Sequence, residues 1–186
     1  MRVIAGKYRS RVLKGPGLLK LRPTSDRLRE TLFNVLGPAV ENSLFIDVFA
    51  GTGAIGIEAL SRGASEAIFI ESYGKAVQLV RKNLESLEIQ NAELIQADAI
   101  AGLEKIAGRH AVADFIFVDP PYEKLDDYSR VLDFLDSSHL LAPQGVVIVE
   151  HFYKATLPDR FDRLERTRVL EQGDASLSFF RLAAAA

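Results

Sequence analysis

Apolar positions along the chain change period repeatedly, and each change marks an element. "LFIDVF" (44–49) is a short apolar run broken by one acid and reads as a buried strand. "AIGIEALSRG" (54–63) then takes helical spacing, with Gly63 in the position that closes a helix. "EAIFIES" (66–72) is a second strand. "KAVQLVRKNLESLEI" (75–89) is a second helix of this series, placing Val77, Val80, Leu84 and Leu87 on one buried face. The alternation continues with a strand "AELIQAD" (92–98), a helix "AIAGLEKIAG" (99–108) and a strand "DFIFVD" (114–119). A helix "LDDYSRVLDFLDSSHLL" (125–141) stops at "APQG" (142–145), a turn signal, and "GVVIVEH" (145–151) is a fifth strand. The rhythm then breaks. "RLERTRVLEQGDASLSFFRL" (163–182) holds two strand-like runs around "QGD" and reads as an antiparallel hairpin.

Repeated strand–helix units imply right-handed crossovers, and so a mostly parallel sheet with helices on both faces. The terminal hairpin adds an antiparallel strand to it. Upstream, "RVIAGKYRSRVLK" (2–14) is a small basic hairpin turning near Gly6–Lys7 or a little beyond. "TSDRLRETLFNVL" (24–36) is a helix with Thr24 or Ser25 as N-cap and with Leu28, Leu32, Val35 and Leu36 toward the core. The division is a basic arm over 1–23 and an α/β body over 24–186.

Composition changes this picture in two places. Among 186 residues there is no cysteine, which removes disulfides, thiolate metal sites and a Cys nucleophile. The three histidines, His110, His139 and His151, show no ligand spacing, so no metal is expected. The net charge of −2 hides an asymmetry: residues 1–29 carry nine cations against Asp26 alone, or +8, leaving −10 for the remainder. A basic arm on an acidic body points to a nucleic-acid partner; a merely solvated basic face is the plainer reading. Neither a signal peptide nor a membrane span is legible.

Candidate chemistry lies where strands end. "DVFAGTGAIGIEA" (47–59) places Gly51, Gly53 and Gly56 as GxGxxG, with Glu71 at the end of the next strand. That meets the dinucleotide-binding pattern, so a nicotinamide or flavin oxidoreductase is a competing reading. Asp47 argues against it, because a carboxylate beside the loop repels a pyrophosphate and suits a ligand carrying an ammonium and a sulfonium. Asp98, after the third strand, is placed to accept an adenine's amine or to cap the following helix. Acids at the ends of three successive strands describe S-adenosylmethionine.

"DPPY" (119–122) then acquires a reason. Pro120 and Pro121 end the strand, since neither has an amide hydrogen, and leave Asp119 at its carboxyl edge. The plainer reading is a Pro-rich turn with a capping acid. The chemical one is a clamp. Asp119 and the Pro120 carbonyl accept the two hydrogens of an exocyclic base amine and localise its lone pair, while Tyr122 stacks on the base. Carbon methylation of a pyrimidine would want the missing Cys, and a metal-dependent O-methyltransferase a ligand cluster the chain lacks.

With "FAGTG" and "DPPY" together, the chain resembles class I methyltransferases of the amino-methylating type. "LRPTSDRLRETLFNVL" with "RVIAGKYRSRVL" narrows the resemblance to the bacterial 16S ribosomal RNA guanine-N2 methyltransferase family (RsmD-like), from Arg2 to about Leu182. The resemblance implies a Rossmann-like class I methyltransferase, a seven-stranded, mostly parallel sheet with an antiparallel last strand. It implies methyl transfer from S-adenosylmethionine to a guanine N2 of 16S rRNA, free or in an assembling small subunit, in the cytoplasm; no dimerisation stripe is legible, so a monomer is expected. By position it implies cofactor roles for Asp47, Phe49, Gly51, Gly53, Glu71 and Asp98, with Thr24 and Asn34 lining the cofactor from upstream. Asp119, Pro120, Pro121 and Tyr122 match the amine clamp. Arg2, Lys7, Arg9, Arg11 and Arg22 are the RNA-contacting cations, with Tyr8 as a stacking ring. Ser10 departs from the family pattern, where glycine is expected. DNA or RNA adenine-N6 enzymes share DPPY and remain an alternative, although no segment here is long enough for an inserted target-recognition domain. A non-catalytic RNA-binding module on the same fold is the other.

Overall fold

The computed structural model describes residues 1–19, 24–121 and 125–184. Seven strands form one sheet: β1 (Leu44–Val48), β2 (Glu66–Glu71), β3 (Ala92–Gln96), β4 (Ala113–Val118), β5 (Leu141–Phe152), β6 (Leu164–Gln172) and β7 (Ala175–Leu182). Their order is β3-β2-β1-β4-β5-β7-β6. β1 to β5 pair in parallel, and β7 lies antiparallel between β5 and β6. Among the described residues the α-helices are α1 (Asp26–Leu36), α2 (Ala54–Ser61), α3 (Gly74–Ser86), α4 (Ala99–Ala107) and α5 (Leu125–Ser137), with a 3-10 turn over Gly37–Val40 after α1.

Strand periodicity explains the two helical layers. Side chains alternate across a sheet. Phe45, Phe69, Phe115, Phe117 and Ile148 therefore share one core with Leu32 and Phe33 of α1 and Val80 of α3. Ile46, Val48, Ile70, Ile116, Val118 and Val149 build the other with Leu103 of α4 and Leu132 and Leu135 of α5. Central strands buried on both faces need apolar residues at consecutive positions, which is why their sequences read as runs.

Local chemistry sets the ends. Ser25 caps α1, its hydroxyl accepting the Leu28 amide at 3.1 Å. The long helix expected to Ile89 stops at Ser86, and Glu88 takes a left-handed φ of 55°. "APQG" does not end an element as expected. It sits inside β5, and the register jumps from Ala113↔Leu141 to Phe115↔Val146, so the proline is absorbed in an irregularity of the ladder.

The arm is an antiparallel turn with a single bridge, Arg2↔Val12, rather than two strands. Val3 and Leu13 are buried in the core beside α1 and α2, so residues 1–14 pack onto the body. Gly6 approaches α2 so closely that a Cβ there would lie 1.7 Å from the Ser61 carbonyl oxygen.

Candidate active site

The carboxyl edge of the sheet gathers the glycine loop, Glu71, Asp98 and Asp119. As β1 ends, Phe49 takes a φ of 65°, and Gly51 and Gly53 follow at 56° and 77°. Left-handed backbone is costly for Phe, and strain of this kind concentrates at ligand-binding turns. The loop is held from both sides. Glu71 Oε2 accepts the Gly51 amide at 2.8 Å, and its Oε1 accepts the Tyr73 amide at 2.8 Å. Each oxygen retains acceptor capacity for a ribose hydroxyl, since an ionised carboxylate has about four lone-pair sites.

Asp47 sits beneath the loop, 2% exposed, with Oδ2 accepting the Gly56 amide at 2.9 Å. Burial pushes its pKa up to about 8, with the Gly56 bond opposing and Glu71 adding to the rise. The Asp47 carboxyl group, by accepting the Gly56 amide, anchors the first turn of α2. Gly51 and Gly56 divide their work. A Cβ at Gly51 would meet nothing but the Phe49 carbonyl oxygen, at 3.8 Å, so bare backbone faces open space. A Cβ at Gly56 would lie 2.4 Å from Phe69 Cε1, so that glycine serves the packing of α2 on β2. An open backbone turn, two carboxylates along the strand ends and a left-handed hinge fit a ligand with ribose and adenine groups.

Asp98 is exposed and N-caps α4, Oδ1 accepting the Ala101 amide at 3.1 Å. Asp119 follows β4, its amide reaching the Val48 carbonyl at 3.4 Å, and its side chain is half-buried. Pro120 is buried and Pro121 exposed. Tyr122 and Arg22 lie outside the described residues. Thr24 is buried, its hydroxyl donating to Glu150 Oε2 at 2.7 Å. Glu150 stands one residue beyond Val149, the partner of Val118, so this bond fastens the start of α1 to the strand beside Asp119. Asn34 is exposed on α1, one turn on from Glu30.

The arm cations separate. Arg2 and Arg9 line a groove against α1. Lys7 Nζ lies 5.1 Å from the Tyr8 ring centroid. Arg11 turns away, its Nη2 donating to the Ser86 carbonyl at 3.2 Å at the end of α3.

Sequence reading missed what holds the arm. Glu58, fully buried in α2, accepts the Ile4 and Ala5 amides at 2.8 and 3.0 Å and the Arg62 Nε at 2.8 Å. Ser61 accepts the Tyr8 amide through Oγ and the Lys7 amide through its carbonyl. Asn83 of α3 accepts the Lys14 amide and donates to the Lys14 and Thr52 carbonyls, tying the arm to the glycine loop. A signal was present: Glu58 interrupts an otherwise apolar helix, and Asn83 lies beside the Val80–Leu84 stripe.

This fold and edge define a class I methyltransferase. The Conserved hypothetical protein 95 family model matches residues 1–181, and the chain belongs to this RsmD-like family. It is 35% identical over 182 residues to the putative rRNA methyltransferase YlbH of Bacillus subtilis, covering 97% of this chain and 98% of that one. It is 37% identical over 158 residues to ribosomal RNA small subunit methyltransferase D of Escherichia coli, covering 85% and 78%. The solved structure of the putative methyltransferase yhhF from Escherichia coli superposes with a TM-score of 0.84 at 33% identity, covering 100% of this chain and 99% of that one.

Proposed function

We propose that the protein transfers a methyl group from S-adenosylmethionine to the exocyclic N2 amine of a guanine in 16S rRNA, free or within an assembling small subunit. It works as a monomer in a bacterial cytoplasm. The observation that carries this reading is the placement of Asp119 and Pro120 at the end of β4, next to the strand whose end carries the glycine loop.

The bound donor supplies an electrophilic methyl group. Glu71 takes the ribose hydroxyls while steadying Gly51, and Asp98 accepts from the adenine amine while capping α4. Asp47 acts from beneath the loop, holding the first turn of α2 through the Gly56 amide so that the glycine backbone keeps its shape against the donor. Phe49, Gly51 and Gly53 shape the turn the ligand lies against, and Thr24, just before α1, and Asn34, on it, line the ligand from upstream. Asp119 and the Pro120 carbonyl accept the two N–H bonds of the target amine and localise its lone pair; Pro121 stiffens the turn and Tyr122 stacks on the base. The surplus proton on nitrogen leaves to water after the transfer. Arg2, Lys7, Arg9, Arg11 and Arg22 contact phosphates, and the base must leave its stack to reach the edge.

The test is labelled methyl transfer onto rRNA from cells lacking this protein, followed by nucleoside analysis. Label on one guanine N2 is the expected result. Label on adenine N6 would redirect the chemistry, and no transfer to any RNA would reject the reading.

A further inference from the structure

A groove of about 350 Å³ runs between the arm and the first half of α1, lined by Arg2, Arg9, Ser10, Asp26, Arg27 and Glu30, with Val3 and Ile4 behind. We infer that this groove is a second RNA subsite that holds one unpaired nucleotide flanking the target, with the arginines on its phosphate and the carboxylates on its base. The inference rests on the RNA-methylating reading and extends it to a place and to residues of α1.

Its location favours RNA over a free ligand. Thr24 is fastened to Glu150 at the strand beside Asp119, and Asp26 lies two residues further on. The groove therefore begins on α1 two residues past the point where the chain is fastened to the strand beside Asp119. Asp26 to Glu30 spans four residues, about 6 Å of helix axis, which suits a single nucleotide rather than a duplex.

Its charge specifies the recognition. A pure phosphate track would carry cations alone, but here Asp26 and Glu30 alternate with Arg2, Arg9 and Arg27. Carboxylates accept hydrogen bonds from the amino and imino groups of bases and repel phosphates, so the mixture matches a nucleotide with both ends read. A third feature lies behind the wall. Arg29, wholly buried, donates through Nη2 to the Arg2 carbonyl and to Asp26 Oδ1 at 3.0 Å. Its Nε and Nη1 have no hydrogen-bond partner among the described residues. Burial pulls this guanidinium below its usual pKa, although Glu58 and Asp26 oppose the shift. Arg29 Nε also lies 3.8 Å from Glu58 Oε2, so the charge is paired within the fold and the guanidinium serves to fix Arg2 and Asp26, two residues of the groove wall, in place.

The test uses the full chain, rRNA from cells lacking it, and the variants Arg27→Glu and Glu30→Gln, both at exposed positions of α1. Far-UV circular dichroism and S-adenosylhomocysteine titration check that each variant is folded. Arg27→Glu is expected to raise KM for RNA at least about tenfold with kcat within about twofold, and to lower the salt slope by about one. Glu30→Gln is expected to raise KM about threefold or more, since it loses a base contact. A fall in KM for Glu30→Gln would mean that the carboxylate merely repels phosphate and would overturn base reading. Wild-type turnover with both variants unchanged in KM would overturn the subsite and leave the proposed function standing. Absence of wild-type turnover would reject the proposed function itself.

Discussion

Glu71 and Gly51 are joined across neighbouring strands by a 2.8 Å hydrogen bond from the glycine amide to the carboxylate. The acid expected to hold a ribose is thus also a strut of the loop that faces it. Structural and ligand roles coincide in one side chain, so binding costs little rearrangement.

The glycines separate packing from binding. Gly56→Ala drives a methyl group into Phe69 and is expected to cost about 1–3 kcal/mol, read by urea unfolding. Gly51→Ala points a methyl group into open space at φ 56° and costs about 1 kcal/mol through backbone strain alone. Its larger effect is expected in S-adenosylhomocysteine titration, where affinity falls. Equal loss of affinity in two equally stable variants would contradict this division.

Asp47 makes stability depend on pH. Its folded pKa of about 8 stands above the ordinary 3.8, so below 3.8 both folded and unfolded chains hold the proton. As pH rises, the unfolded chain releases its proton first, and stability falls progressively until the folded value is passed. Asp47→Asn keeps an acceptor for the Gly56 amide and removes this titration. Urea midpoints from pH 5 to 9 should decline less in the variant; identical profiles would show that Asp47 is ionised throughout.

Ser10 carries the strain a glycine would not. At φ 66° it sits in left-handed backbone, where glycine is the unstrained residue, which gives a physical reason for the glycine expected at this position. Ser10→Gly is expected to stabilise by about 0.5–1 kcal/mol, partly offset by greater freedom of the unfolded chain. A lowered Tm would contradict this.

Asn83 is expected to hold the arm in place. Asn83→Ala removes three hydrogen bonds and leaves polar groups of Lys14 and Thr52 short of partners, at a cost of about 2–4 kcal/mol. Limited trypsin digestion should then cut faster after Arg9 and Arg11. Unchanged cleavage would mean that Glu58 and Ser61 suffice.

The strand–helix order was legible because each two-sided strand is a dense apolar run and each helix shows a stripe, as Val77, Val80 and Leu84 do. The glycine loop and DPPY were legible because backbone needs fix residue types there. The arm's docking was not legible. It depends on Glu58, Ser61 and Asn83 meeting backbone groups more than fifty positions away, and no local period records such a contact. Pro143 in "APQG" misled because a ladder irregularity tolerates a proline that a regular strand would not. Burial of Asp47 was hidden for a related reason: its four-residue spacing from Gly51 says nothing about which side of the loop it occupies.

The amine clamp is tested most directly by measuring S-adenosylhomocysteine affinity and methyl transfer on the same Asp119→Ala protein. The expected result is affinity within about threefold of wild type while transfer falls by about 10²–10³ or more, as when an oriented acceptor or donor is removed. Affinity lost in step with transfer, or transfer that survives, would contradict the assignment of Asp119 to the target amine.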